Sequence, residues 1–463
     1  MALFTNEEIN NFYTFGEQIT FNVASIALIT EKLKARANTL KQPNHVIPSN
    51  KFNTIYCTSD IHSDFRKFTQ MLILARIVAS DINPYDGDNI YRPEFITGMR
   101  WIAPAKTILV IIGDLVDGRR ASSAGVNSPD DRAGSFELLL FTLLYNLRIQ
   151  ANQNESEIRF TIGNHEHMTV ISQPADQYDL YVADEARRFF GNENNRRNAL
   201  LPFIFLCPYF LLTFQNGHAK EIACIHGGLH HNNNGQTAIQ DITAQLEAFQ
   251  LQIDTGASRL TDINHMLLLL LWSRVYKQSE RSVDICDIIN HATHKLIIVG
   301  HCTTNNFNIP DPAIGAPGDL FDKIHQRPEY ANCDKGVVGD VRDGCVLLHC
   351  HGPHGPRLAF VDVALSKGQR MPSHHIYGPE ISNKDRNAQL LRLRYNPELK
   401  EDDRHFNQIE RVISHDRFEA LYLADPKATA TTPAFAAYDL GPRYAPYIPP
   451  PPENNIEMMG RKE

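Results

Sequence analysis

Hydrophobic positions change period several times along the chain, and the changes divide it into elements. From Ile26 to Leu40 apolar residues recur at helical spacing with Lys and Arg between them, and Thr5-Asn-Glu-Glu has the spacing of an N-terminal capping box. Gln42-Pro43-Asn44 interrupts the pattern, so residues 1–50 are expected to form a helical extension packed on the main domain. From Thr54 onward short β-rich runs alternate with helical stretches. Thr54-Ile-Tyr-Cys-Thr precedes a helical stretch from Phe65 to Val78, Thr107-Ile-Leu-Val-Ile-Ile precedes one from Phe136 to Ile149, and Ile158-Arg-Phe-Thr-Ile follows. A β-α-β-α-β order predicts parallel strands with crossover helices, and in such sheets ligands gather beyond the carboxyl ends of the strands.

Further along, Phe203–Phe214 and Glu221–Ile225 read as a hairpin-like pair around Gln215-Asn-Gly-His, whose Asn-Gly is a turn signal. A helical stretch from Ala238 to Leu251, the apolar run Met266–Trp272 and strands at Lys295–Val299, Gly344–His349 and Arg357–Val363 follow. Residues 305–341, rich in Pro, Gly and Asp, are expected to form an insertion or lid. After Lys367 the chain turns polar, with one more helical patch near Phe406–Leu423 and a terminal run containing Pro449-Pro-Pro-Pro that favours polyproline conformation. This gives a catalytic domain over 51–370 and a C-terminal extension with a Pro-rich tail over 371–463.

Composition narrows the classes. With 463 residues, 43% of them hydrophobic, the chain can bury a sizeable core. Lys plus Arg number 45 against 53 Asp plus Glu, and a net charge of −8 disfavours a protein that coats nucleic acid. No run of about 18 apolar residues appears, so no membrane span is expected, and the start lacks an export signal. Eight cysteines without a CxxC pair read as free thiols in a reducing compartment, hence a cytoplasmic location.

Candidate chemistry sits at the ends of the apolar runs. Asp60-Ile-His62, Gly113-Asp114-Leu-Val-Asp117, Gly163-Asn164-His165-Glu166, His226-Gly-Gly, Trp272-Ser-Arg274 and Gly300-His301 offer carboxylates, an amide oxygen, imidazoles and an arginine. Asp60 and His62 are two apart, so continued strand geometry would put both on one side and let them hold one ion. Asp114 is placed to bridge two cations, and Asn164, His226 and His301 offer donors for a second. Mixed nitrogen and oxygen ligands suit manganese, iron or zinc better than calcium. Each segment alone is a common turn; their joint occurrence in this order carries the inference.

These residues resemble the calcineurin-like metallophosphoesterases. Gly163-Asn-His-Glu166, His226-Gly-Gly-Leu229 and Leu270-Leu-Trp-Ser273 resemble the phosphoprotein phosphatase branch, and Trp272-Ser-Arg274 with Glu166-His-Met168 its bacterial-type members. The resemblance spans about residues 54–366. It implies an α/β fold, a sandwich of two mixed β-sheets flanked by helices, with two divalent or trivalent metal ions (Mn, Fe or Zn). Asp60, His62 and Asp114 would bind the first ion, and Asp114, Asn164, His226 and His301 the second. His165 would be the general acid oriented by Asp117, and Arg274 a phosphate clamp. The implied reaction is hydrolysis of phosphate monoesters, on phosphorylated protein at Ser/Thr or Tyr, by attack of a metal-bridging hydroxide.

The chain departs from the family where Asp117-Gly-Arg119-Arg120 replaces Asp-Arg-Gly, so either Arg119 or Arg120 is expected to stand for the phosphate-binding arginine, and His230, near His226 in the sequence, is a candidate substrate contact. A dinucleoside polyphosphate hydrolase and a catalytically silent phosphatase-fold scaffold are the alternatives. The N-terminal helices and the Pro-rich tail offer surfaces for a protein partner. The many Asn residues and unmatched ends fit a virus or intracellular pathogen, for which the compartment would be the host cytosol.

Overall fold

A computed structural model describes residues 2–14, 19–40, 44–83, 92–117, 133–171, 189–228, 239–273, 292–301, 333–334, 346–350, 357–361, 390–395 and 406–412. Two short ribbons aside (Tyr13–Thr14 with Thr20–Phe21, Val78–Ala79 with Arg100–Trp101), the strands lie in two sheets. In chain order they are β1 (Val46–Pro48), β2 (Thr54–Thr58), β3 (Thr107–Ile112), β4 (Glu157–Thr161), β5 (Leu211–Asn216) and β6 (Ala219–Ile225). There follow β7 (Leu296–Val299), β8 (Cys333–Asp334), β9 (Val346–Cys350), β10 (Arg357–Phe360), β11 (Leu390–Tyr395) and β12 (Phe406–Val412).

The five-stranded sheet runs β12-β11-β2-β3-β4, with β2, β3 and β4 parallel and β11 antiparallel to β2. The seven-stranded sheet runs β8-β9-β10-β7-β6-β5-β1, with β6, β7 and β10 parallel and β5 antiparallel to β6. This is the expected α/β architecture of two mixed sheets. All six residues of β3 are buried, as a run that is apolar on both faces of a central strand requires. One apolar core joins both sheets and the helices against them, among them Ala133–Gln153, Glu193–Ile204 and Ile239–Thr255.

The N-terminal helix Asn6–Asn10 has the expected capping box: the Thr5 hydroxyl accepts from the Glu8 N–H at 3.2 Å, and the Glu8 carboxylate accepts from the Thr5 N–H at 2.9 Å. Leu3, Phe4 and Phe12 are buried, and the Leu3 N–H donates to Asn146 Oδ1 at 2.6 Å. Val46–Pro48 then pairs parallel with β5 at the edge of the seven-stranded sheet.

Two local readings change. The segment from Phe406 is a strand through Val412, not a helix, although Phe406, Ile409 and Val412 recur at helical spacing. Its pairing with β11 overrides that weak period, and Ile409 and Val412 are β-branched. Phe203 and Ile204 close the Glu193–Ile204 helix instead of opening a strand; the helix starts at Asn192, whose Oδ1 accepts from the Asn195 N–H at 2.8 Å. Within 305–341 only Cys333–Asp334 is described, paired with β9. Among the described residues, no helix is long and apolar enough to cross a membrane, and Cys57, Cys207 and Cys224 are buried free thiols.

Candidate metal centre

The carboxyl ends of five strands converge. Asp60 and His62 follow β2, Asp114 and Asp117 follow β3, and Asn164 and His165 follow β4, whereas His226 and His301 follow β6 and β7 of the other sheet. Asp60, Asp114, His226 and His301 are all buried, with one donor atom from each lying within 4.8 Å of the others. His62, Asp114 and His165 form a second such group. Asp114 belongs to both, and its Oδ2 lies 3.2 Å from His226 Nε2, 3.7 Å from His62 Nε2 and 3.8 Å from His165 Nε2.

Backbone geometry brings these groups together in a way that strand alternation does not. The strand β2 ends at Thr58, before Asp60, and Asp60 (φ 49°), His62 (φ 44°), Asp114 (φ 53°), Asp117 (φ 63°) and His301 (φ 57°) are all left-handed. Continued strand geometry is therefore not what places Asp60 and His62, whose Oδ2 and Nε2 are nonetheless 3.9 Å apart. Non-glycine residues in this region cost on the order of 1 kcal/mol or more each and persist only where the surroundings hold them. Here the loops brace each other: the Asp60 N–H donates to the Gly113 carbonyl (3.1 Å), that of His62 to Asp114 (2.9 Å) and that of Ser63 to Leu115 (2.8 Å).

The donor set fits metal ions. His226 Nδ1 faces the Ile112 carbonyl at 2.9 Å and His62 Nδ1 faces the Val116 carbonyl at 3.1 Å, so a proton on each Nδ1 leaves Nε2 free to face Asp114. Asn164 Oδ1 lies 2.9 Å from His226 Nε2 and joins the same cluster. Burial pushes the His226 imidazolium down, but the Asp114 and Asp60 carboxylates overcome it and raise its pKa to about 10. Two desolvated carboxylates thus call for positive charge, which a cation supplies.

His165 sits at the edge of the cluster, its side chain 14% exposed, with Nδ1 2.8 Å from Asp117 Oδ2. Burial lowers its pKa, but the charge of Asp114 and the hydrogen bond to Asp117 outweigh it, and the net shift is upward. Burial works against Asp117 as well, yet the Arg196 guanidinium and His165 hold its carboxyl at about 2. An imidazolium with a fixed Nδ1 in a partly exposed side chain can donate a proton.

Three residues escaped the sequence reading as site residues. Glu166 accepts four backbone N–H bonds: from Asp114 (2.8 Å) and Gly163 (2.9 Å) on Oε2, and from Leu115 (2.6 Å) and Val116 (3.1 Å) on Oε1. It fastens the loop after β3 to the loop after β4. Its only signal was its place in Gly163-Asn-His-Glu166, in the first helical turn after a strand. Arg196 and Glu137, behind Asp117, carried no signal, being ordinary helix charges that only the fold brings together. Arg274, Arg119, Arg120 and His230 lie outside the described residues.

Two glycines are required by close approach. A Cβ on Gly227 would lie 2.1 Å from the Leu270 carbonyl oxygen, so His226-Gly-Gly packs directly on the Trp272 helix, whose indole meets the His301 ring edge-on at 6.3 Å. A Cβ on Gly163 would lie 2.2 Å from Asp114 Oδ1 and 2.5 Å from its backbone nitrogen. Gly163→Ala is therefore expected to push the Asp114 carboxylate aside and to cost about 100-fold in aryl phosphate hydrolysis, with a folded circular dichroism spectrum retained.

Solved structures similar to the chain include a cold-active protein-tyrosine phosphatase of a psychrophilic Shewanella species, 15% identical, covering 87% of each chain with a TM-score of 0.42. Another is a protein serine/threonine phosphatase from Saccharomyces cerevisiae with similarity to human phosphatase PP5, 12% identical, covering 86% of this chain and 91% of that one, TM-score 0.41. No curated protein sequence matches. The family model described as calcineurin-like phosphoesterase matches residues 54–314, more than half of the chain, from β2 through β7. With that match and the convergent Asp and His residues at its strand ends, the chain belongs to the calcineurin-like phosphoesterases, metal-dependent hydrolases of phosphoric esters.

Proposed function

We propose that the protein is a dinuclear metal phosphatase that hydrolyses phosphate monoesters on phosphorylated protein, at Ser/Thr or Tyr. The observation that carries this reading is the single carboxylate, Asp114, within 3.8 Å of three imidazoles, with an Asp117-bound histidine on the accessible side. Asp60, His62 and Asp114 would hold one ion and Asp114, Asn164, His226 and His301 the other, manganese, iron or zinc by donor type. Bound there, such ions lower the pKa of water for attack on phosphorus and neutralise the phosphate oxygens.

The chain's own groups do the rest. His165 delivers the proton from Nε2 to the departing alcohol oxygen, while Asp117 holds Nδ1 and stabilises the imidazolium. Arg274 and Arg119 bind the phosphate, with Arg120 and His230 as further substrate contacts; a planar guanidinium grips two phosphate oxygens at once, which lysine cannot do. The protein substrate is favoured by Gly163-Asn-His-Glu166, His226-Gly-Gly-Leu229 and Leu270-Leu-Trp-Ser273, and the buried free thiols suit a reducing compartment such as the cytoplasm.

The test is a hydrolysis panel with added manganese. Phosphopeptides carrying Ser, Thr or Tyr phosphate are expected to give a kcat/KM at least about tenfold above that for dinucleoside tetraphosphates, a separation of about 1.4 kcal/mol in transition-state binding. Preference for the nucleotides would replace the protein-phosphatase reading while keeping the chemistry. A purified chain that binds no metal and hydrolyses neither would point to a scaffold.

A further inference from the structure

Behind His165 lies a buried charged assembly that the hydrolytic chemistry does not itself use. Arg196, on the Glu193–Ile204 helix, has a side chain only 2% exposed. Its Nη2 donates to Asp117 Oδ1 at 2.7 Å and to Glu137 Oε1 at 2.7 Å, its Nε donates to Glu137 Oε2 at 2.8 Å, and its Nη1 donates to Glu193 Oε1 at 2.9 Å. Glu137, on the Ala133–Gln153 helix, also accepts the Asp117 backbone N–H at 2.8 Å. Asp117 is thus held at three points: its backbone by Glu137, one carboxylate oxygen by Arg196 and the other by His165.

We propose that Arg196 and Glu137 are positioning residues that fix Asp117, and through it aim His165 at the leaving oxygen. The inference rests on the reading of His165 as the general acid. Asp117 stands in a left-handed turn (φ 63°), five residues past the end of β3, so its carboxylate needs an external brace to keep one orientation. The guanidinium fork supplies that brace. It grips Glu137 through Nε and Nη2 and reaches Asp117 with the same Nη2, which fixes the Asp117–Glu137 distance and offsets part of their repulsion. Glu137 and Arg196 come from two helices that pack on each other, so the orientation of an acid at the strand ends is set by the helical layer behind it.

A group that acts by aiming a proton donor matters in proportion to how much the leaving group needs the proton. The experiment compares an alkyl phosphate, whose alkoxide leaves poorly, with 2,4-dinitrophenyl phosphate, whose phenoxide leaves unaided, for full-length manganese-loaded protein. Arg196→Met is expected to lower kcat on the alkyl ester about 10- to 100-fold and on the dinitrophenyl ester less than about threefold, with metal content unchanged. Arg196→Lys, which restores the charge without the fork, should fall between. Glu137→Gln keeps an oxygen for the Asp117 N–H and should show the same split at smaller amplitude; it decides the matter if Arg196→Met does not fold. Equal losses on both esters, or no loss, would overturn the proposal. His165→Asn runs alongside: if it shows no split, the acid assignment fails, whereas a split there without one in the Arg196 and Glu137 variants removes the brace alone.

Discussion

Asp114→Asn is expected to lower phosphate ester hydrolysis by on the order of 10³-fold or more and to empty the site of metal, while leaving the fold intact. The amide is isosteric, and an oxygen in the Oδ1 position still accepts the His165 N–H, which the aspartate accepts at 3.1 Å. What changes is the other atom. Oδ2 is the point on which His226, His62 and His165 converge from 3.2 to 3.8 Å, and an NH₂ there presents hydrogens where a shared ligand must present a lone pair. Removing the charge also removes the largest force that raises the His226 pKa against its burial. Elemental analysis and an aryl phosphate assay on the same preparation check this. A variant that retains its metal and stays within tenfold of wild type would show that Asp114 is not the shared ligand.

Glu166→Ala is expected to be the most destabilising single change at the site, by about 3–5 kcal/mol, and to reduce activity through disorder of the loops it joins. Burial and the neighbouring Asp114 push the Glu166 pKa up, while the Gly163 N–H and the charges of His226 and His165 oppose them. Both oxygens nevertheless only accept, from four backbone N–H groups, which is the pattern of an ionised carboxylate. Each stranded buried donor costs about 1–3 kcal/mol, and water entering the space recovers part of that. Glu166→Gln should be intermediate, because one terminal atom becomes a donor aimed at donors. Urea unfolding of the metal-free proteins checks the order. Equal stability of wild type and alanine variant would mean that the loops need no carboxylate.

Much of this architecture was legible because apolar periodicity is local. Thr107–Ile112 reads as a buried strand, and a ligand-bearing Gly-Asp at its end follows from where ligands collect in such sheets. The same rule located Asp60, Asn164, His226 and His301, which the fold then brings together from two sheets. What the sequence hid was non-local. Glu137 and Arg196 are 59 residues apart, and nothing about either helix says that its charge faces inward toward Asp117. Phe406–Val412 misled for another reason: its apolar spacing is helical, and only antiparallel pairing with the preceding strand β11 makes it extended. The left-handed turns at Asp60 and His62 were hidden for a further reason: only the bracing loop after β3 makes such backbone affordable.

The hairpin β11–β12 has a consequence for how the protein is made. Leu391 pairs with Cys57, so the strand that ends in Asp60 and His62 waits for a neighbour on the order of 330 residues later in the chain. At ribosomal rates of roughly 5–20 residues per second, that edge stays open for some tens of seconds. Throughout that interval β2 presents unpaired backbone groups and an apolar face, the kind of surface that recruits other unfinished chains. The yield of active enzyme should therefore depend on synthesis temperature and chaperone supply more than the stability of the finished fold would suggest, since the edge that leads to Asp60 and His62 emerges early and is closed by a strand made far later.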